Sequence, residues 1–138
     1  MVLCMLDSEQ IALCKYRIEK ADECQNSAKH LLELNDYSAA ANRSYYAIFH
    51  TIRAIMALDG EDRKKHSGVI AYFQEHYIKT NVFEKKFSYI VKSAFEIRQE
   101  SDYEDFCIIS KEEVIEQIKN ASEFIDVARQ YLENRYLE

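Results

Sequence analysis

Four side chains in one stretch stand out for what they could do together. Arg43, Tyr46, His50 and Arg53 recur at intervals of three and four residues, which puts them on one stripe of a helix. Two guanidiniums, an imidazole and a phenol along one edge can hold phosphate oxygens and meet a base. They can equally reach solvent or pair with acids on the last helix, because an unpaired buried Arg is costly. From the residues alone both readings stay open. An anion- or RNA-facing groove is the functional one.

Two further groupings carry possible chemistry. His66 follows Arg63-Lys64-Lys65 at the expected start of a helix. A phosphate there would meet a basic loop and the positive end of a helix; a capping or loop histidine is the plainer alternative. The run Arg98-Gln-Glu-Ser-Asp-Tyr103 sets an Arg at a helix end with a Tyr five positions on. Arg can clamp a phosphate in a bidentate way, and a neighbouring acid–base group can work on a ribose hydroxyl. Tyr titrates near 10, so it is a poor base at neutral pH unless shifted. Pairing of Arg98 with Asp102 or Glu104 is the structural alternative.

Other chemistries are poorly served. His30, His50, His66 and His76 lie in different segments, without an HxxxH or HExxH pair, and Cys4, Cys14, Cys24 and Cys107 lack ligand spacing. No metal and no cofactor is expected. Gly60 and Gly68 are the only glycines, so no phosphate loop or dinucleotide fingerprint can be built, and a bound nucleotide would have to be held by side chains.

The elements that must position these groups follow from composition. The chain has 138 residues, no Pro and 2 Gly, with 48% hydrophobic and 30% charged residues. That is about one domain. It has too little turn chemistry for an all-β fold and too many apolar residues for disorder. We expect one domain over residues 1–138: an all-α, up-and-down antiparallel bundle of four long helices plus one short helix. The periodicity predicts helices over 9–34, 37–58, 67–79, 82–100 and 111–135. Asp7 or Ser8 and Asp36 are the expected N-caps, Gly60 follows the second helix in the left-handed conformation, and Ser110 with Glu113 forms a capping box. The second helix, opening Ala39-Ala40-Ala41, is expected to be central and most buried.

The net charge is −6. It is uneven: residues 60–98 carry 5 acids against 8 bases, whereas residues 99–138 carry 11 acids against 4 bases. A general nucleic-acid coat is disfavoured, but a local basic surface in the middle is not. No apolar run approaches the roughly 18 residues that span a bilayer. A cytoplasmic protein with reduced thiols and no membrane association is expected.

Three motifs, in order, carry a resemblance. Asn42-Arg-Ser-Tyr-Tyr-Ala-Ile-Phe-His50 with Arg53-Ala, then Lys65-His-Ser-Gly68, then Phe95-Glu-Ile-Arg98 with Ser101-Asp-Tyr103 resemble the signature of HEPN-domain proteins. The likeness is greatest to a small stand-alone HEPN-like group and covers roughly residues 8 to 135. It implies a helical bundle that commonly forms a homodimer. It implies a gene pair with a minimal nucleotidyltransferase, as in toxin–antitoxin systems. In active members it implies metal-independent RNA cleavage by an Arg, a polar residue and a His from each of two facing copies. Arg98 matches the motif Arg, but Gln99 falls where Asn, Asp or His is usual, Tyr103 stands where the His belongs, and no His follows His76. His50 or His66 would then have to substitute, or Tyr103 act with a shifted pKa. Tyr103 is also a candidate acceptor of AMP from such a partner, although the usual acceptor position holds Asp105. A non-catalytic nucleotide- or partner-binding module is the alternative.

Overall fold

The computed structural model describes residues 7–103 and 109–136, with side chains described for 7–100 and 109–136. Five α-helices follow one another: α1 (Ser8–Glu33), α2 (Tyr37–Leu58), α3 (His66–Phe73), α4 (Lys85–Tyr103) and α5 (Lys111–Tyr136). They form the expected helical bundle, and the described residues contain no strand.

The helix ends answer to their side chains. Asp7 accepts from the Glu9 N–H while Gln10 reaches back to the Asp7 N–H, a reciprocal cap of α1. Asp36 accepts from the Ala39 N–H at the start of α2. Gly60 follows α2 at φ 69°, where a Cβ is strained. Ser110 and Glu113 exchange the bonds of a capping box at α5.

Three boundaries differ from the periodic pattern by several residues. The segment after α3 continues not as α-helix but as a π turn over Gln74–Ile78. The wider turn lets consecutive Tyr77 and Ile78 both face the core. Helix α4 starts at Lys85 rather than at 82, because Asn81 adopts φ 62° and the Phe83 N–H turns back to the Tyr77 carbonyl. Helix α4 also runs on to Tyr103, past the expected end at 100.

Helix α2 is the centre, with 14 of its 22 residues buried. Its small residues Ala40, Ser44, Ala47 and Thr51 are buried, as are Ala21 and Ala28 of α1, and small side chains let helix backbones approach closely. Two buried glutamines bridge the layers. Gln25 donates to the Ile118 carbonyl and the Ser122 hydroxyl, each at 2.8 Å. Gln117 donates to the Ala41 carbonyl at 2.9 Å. At the other end Phe73, Phe83, Phe87 and Phe124 interlock, with ring centroids 5.5–6.4 Å apart. This aromatic cluster fixes α3 and α4 against α5, and so fixes where their ends meet α2.

Candidate functional site

Two elements converge on one face of α2. Tyr45, Tyr46 and Phe49 sit at i, i+1 and i+4 and project side by side. Helix α3 begins with His66, whose ring stacks on Phe49 at 4.1 Å with 18° between planes. Its Nδ1 lies 2.8 Å from the Tyr45 hydroxyl, and the edge of Tyr46 meets the same ring at 5.6 Å. From α4, Arg98 brings its guanidinium carbon within 5.5 Å of the Tyr45 ring centroid and 5.6 Å of the Tyr46 centroid. Phe95 closes the inner side against Tyr45. An Arg and a His separated by 32 positions in the chain thus share one aromatic platform.

The α2 stripe divides into two ends. Arg43 lies over the outer face of Tyr46 at 5.0 Å and donates to the Asn42 side chain. Tyr46 therefore contacts two guanidiniums, those of Arg43 and Arg98. At the other end Arg53 binds Asp62 through Nε and Nη2, at 3.2 and 2.9 Å. His50 sits half-buried between them, against Tyr46 and Phe49. The expectation that this stripe pairs with acids on the last helix is therefore corrected for Arg53: its acid is Asp62, in the loop after α2. That loop lies closer in chain and in space, and its carboxylate also accepts from the Arg63 backbone N–H.

Asp62 is the hinge pin of the loop. Buried Arg17 of α1 donates to the Arg53 carbonyl at 2.9 Å and contacts Asp62 at 3.5 Å. Partial burial pushes the Asp62 carboxyl up, but hydrogen bonds from Arg53 and the Arg63 backbone outweigh it and hold it below the ordinary carboxylate value. The loop so held presents Arg63 and Lys64 beside His66. With Phe49, Arg53 and Asp62 they line an open concavity of about 620 Å³. Three of its four formal charges are positive.

Both histidines of the site are held neutral. Burial lowers the His66 pKa, and the positive fields of Arg98 and Arg53 lower it further. Burial lowers His50 likewise, aided by Arg53 and Arg43. Burial raises Tyr45 far beyond the ordinary phenol, although Arg98 opposes this. Tyr45 is therefore a hydrogen-bonding partner for His66 and not a proton acceptor.

Tyr103 closes α4, but its side chain lies outside the described residues, as do the side chain of Asp102 and the whole of Glu104, the two acids expected beside Arg98. Three participants escaped sequence reading. Tyr45 and Phe49 fit the apolar pattern of α2 as core residues, and Asp62 reads as part of a charged loop. A usable signal existed for one of them: a Tyr on a buried face needs a partner for its hydroxyl, and His66 in the next element can supply it.

The profile of the HEPN domain family matches residues 14–131, which is most of the chain. The chain belongs to the HEPN family. A protein of Thermotoga maritima named "UPF0332 protein" is 32% identical over 127 residues, covering 92% of this chain and 96% of that one. A protein of Methanocaldococcus jannaschii named "putative toxin" is 30% identical over 115 residues, covering 83% and 78%. A "UPF0332 protein" of Archaeoglobus fulgidus is 32% identical over 113 residues, covering 82% and 90%. In this HEPN chain Arg98 of α4 and His66 of α3 both lie against the Tyr45 ring.

Proposed function

We propose that this HEPN protein is a toxin-like, metal-independent endoribonuclease of a prokaryotic HEPN/nucleotidyltransferase pair, working as a cytoplasmic homodimer in a single domain over residues 1–138. The observation that carries the reading is the meeting of Arg98 and His66 on the Tyr45–Tyr46 platform. It offers the two things that metal-free RNA cleavage needs: a phosphate clamp and an imidazole that is neutral at physiological pH and so able to accept a proton. The toxin-like part leans on relatives so named.

The geometry supports the following roles. Arg98 holds the scissile phosphate. Tyr45 occupies Nδ1 of His66, so Nε2 is the nitrogen that exchanges protons with a substrate. In the tautomer whose Nδ1–H donates to the Tyr45 oxygen, Nε2 accepts the proton of the ribose 2′-hydroxyl. The 2′ oxygen then bonds to phosphorus as the bond to the 5′ oxygen breaks. This leaves a 2′,3′-cyclic phosphate, and the 5′ oxygen takes its proton from solvent. Arg53, Arg63 and Lys64 receive neighbouring phosphates in the concavity, while Arg43, Tyr46 and His50 extend the track along α2. Tyr103 holds the position of the motif histidine, but a phenol is a poor base at neutral pH, so proton transfer passes to His66.

The test is cleavage of mixed cellular RNA in EDTA by the purified protein, beside Arg98→Ala and His66→Gln. The wild type should cleave, and each variant should lose roughly 100-fold or more in rate. Full activity in His66→Gln would overturn the role of His66. No cleavage by the wild type would overturn the nuclease reading and leave a binding module.

A further inference from the structure

Arg63 is a surface side chain that is held still. It stands in the loop between α2 and α3, and its side chain is 44% exposed. A long cationic side chain so exposed ordinarily keeps much of its rotamer freedom. This one is braced along its length. Its stem lies along Gly68 in the first turn of α3, where an added Cβ would come within 3.4 Å of the Arg63 Cβ. Nη1 donates to Glu61 Oε2 at 3.0 Å and to the Asp62 carbonyl at 2.6 Å. The guanidinium carbon lies 4.8 Å from the Tyr72 ring centroid. His76 in turn stacks on Tyr72 at 4.1 Å with 26° between planes. The result is a stack of three planar groups centred on Tyr72, beside the concavity that Arg63 lines.

We propose that this stack seats an unpaired nucleobase of the RNA, lying on the guanidinium face that Tyr72 leaves open; this rests on the concavity being part of an RNA track. Guanidinium planes stack on nucleobases, and a plane fixed in advance spends little entropy on doing so. The hydrogen bonds of Arg63 decide between base and phosphate. A phosphate is met by the N–H edge, and Nη1 on that edge is already taken by a carboxylate and a carbonyl. Glu61 also offsets the Arg63 charge, which weakens attraction for phosphate and leaves stacking untouched. Nε and Nη2 keep a share in phosphate binding, while the face is left to a base. Lys64, which lines the same concavity, meets the adjoining phosphate as a point charge. Bases inside a duplex are stacked on one another, so the segment that fits here is single-stranded. Tyr72 and His76 act through Arg63 and are positioning residues.

The probe is a short, fluorescein-labelled 2′-O-methyl oligoadenylate, which lacks the free 2′-hydroxyl that cleavage needs. Its binding is followed by anisotropy beside a fully abasic strand of equal length. The wild type should bind the oligoadenylate roughly tenfold more tightly, the worth of one stacked base. Arg63→Lys keeps the charge and removes the planar face. It should lose that tenfold on the oligoadenylate and nothing on the abasic strand. Tyr72→Leu should do the same, whereas Tyr72→Phe, which keeps the ring, should bind like the wild type. Losses in Arg63→Lys that are equal on both strands, or absent on both, would mean a phosphate contact alone and would overturn the base seat. So would a wild type that binds the two strands equally, or binds neither. A Tyr72→Leu variant that binds like the wild type, or a Tyr72→Phe variant that does not, would overturn the part played by the ring. No cleavage enters the measurement, so the two readings fail separately. A base-dependent loss without cleavage of ordinary RNA would remove the nuclease and keep the seat. Cleavage without a base-dependent loss would keep the nuclease and remove the seat.

Discussion

At the scale of single residues, the site is organised by what burial does to titrating groups. His66 and His50 are pushed below the ordinary histidine value of 6.5, first by burial and then by neighbouring guanidiniums. The folded chain thus refuses protons that the unfolded chain accepts. Stability contributed by the neutral rings is present above pH 6.5 and is lost as pH falls below that unfolded value. Thermal unfolding should therefore show a lower Tm at pH 5.5 than at pH 7.5, and the double variant His50→Gln, His66→Gln should flatten that slope. An unchanged slope would mean that neither ring is held neutral. The same depression suits the proposed proton transfer, because a neutral His66 is ready to accept a proton at physiological pH.

The loop between α2 and α3 shows what a single element contributes. Residues 61–65 carry three bases that repel one another, yet the loop holds one shape because Asp62 draws in Arg53 and Arg17. Asp62→Asn keeps the shape but removes the charge that these guanidiniums face. Its carboxylate is half exposed, so the expected loss of stability is small, about 1 kcal/mol or less. The larger effect should be local. Amide hydrogen exchange at Arg63 through His66 should quicken, and RNA cleavage should fall with it. Exchange as slow as in the wild type would show that Asp62 does not hold the loop. Helix α1 takes part in this device through Arg17, which shares its buried face with apolar residues and Gln25. Its burial makes sense once the Arg53 carbonyl and Asp62 are seen to receive it.

Across the whole molecule, charge is sorted by face. The α2 side gathers Arg43, Arg53, Arg63, Lys64 and Arg98 near the aromatic platform, whereas the α4–α5 groove is lined by carboxylates. A net charge of −6 thus conceals a basic face on one side and an acidic groove on another. The aromatic cluster joins these faces, since Phe124 of α5 is fully buried against Phe73, Phe83 and Phe87. Phe124→Ala should cost about 3–5 kcal/mol in urea unfolding. A loss under 1 kcal/mol would mean that the cluster closes over the gap. Among the described residues no helix is long and apolar enough to cross a membrane.

Much of this was legible in the amino-acid sequence because it depends on local periodicity. The span of α2, the caps at Asp36 and Ser110, the left-handed Gly60 and the central burial of α2 all follow from side chains within a few positions of one another. The stripe Arg43, Tyr46, His50 and Arg53 was legible for the same reason. The π turn at Gln74–Ile78 was not, since it arises from burying Tyr77 and Ile78 together, a demand set elsewhere in the chain by the Phe cluster and by Asp59, whose carboxylate accepts from the Tyr77 hydroxyl. Nor was the pairing of His66 with Tyr45, or the approach of Arg98 to both tyrosines. Those contacts join residues 21 and more positions apart, and only the packing of α3 and α4 onto α2 brings them within reach. The sequence by itself determined the helices and the kinds of chemistry available. Tertiary structure alone decided which histidine stands beside Arg98, because proximity between helices is set by how their apolar faces interlock and not by spacing along the chain.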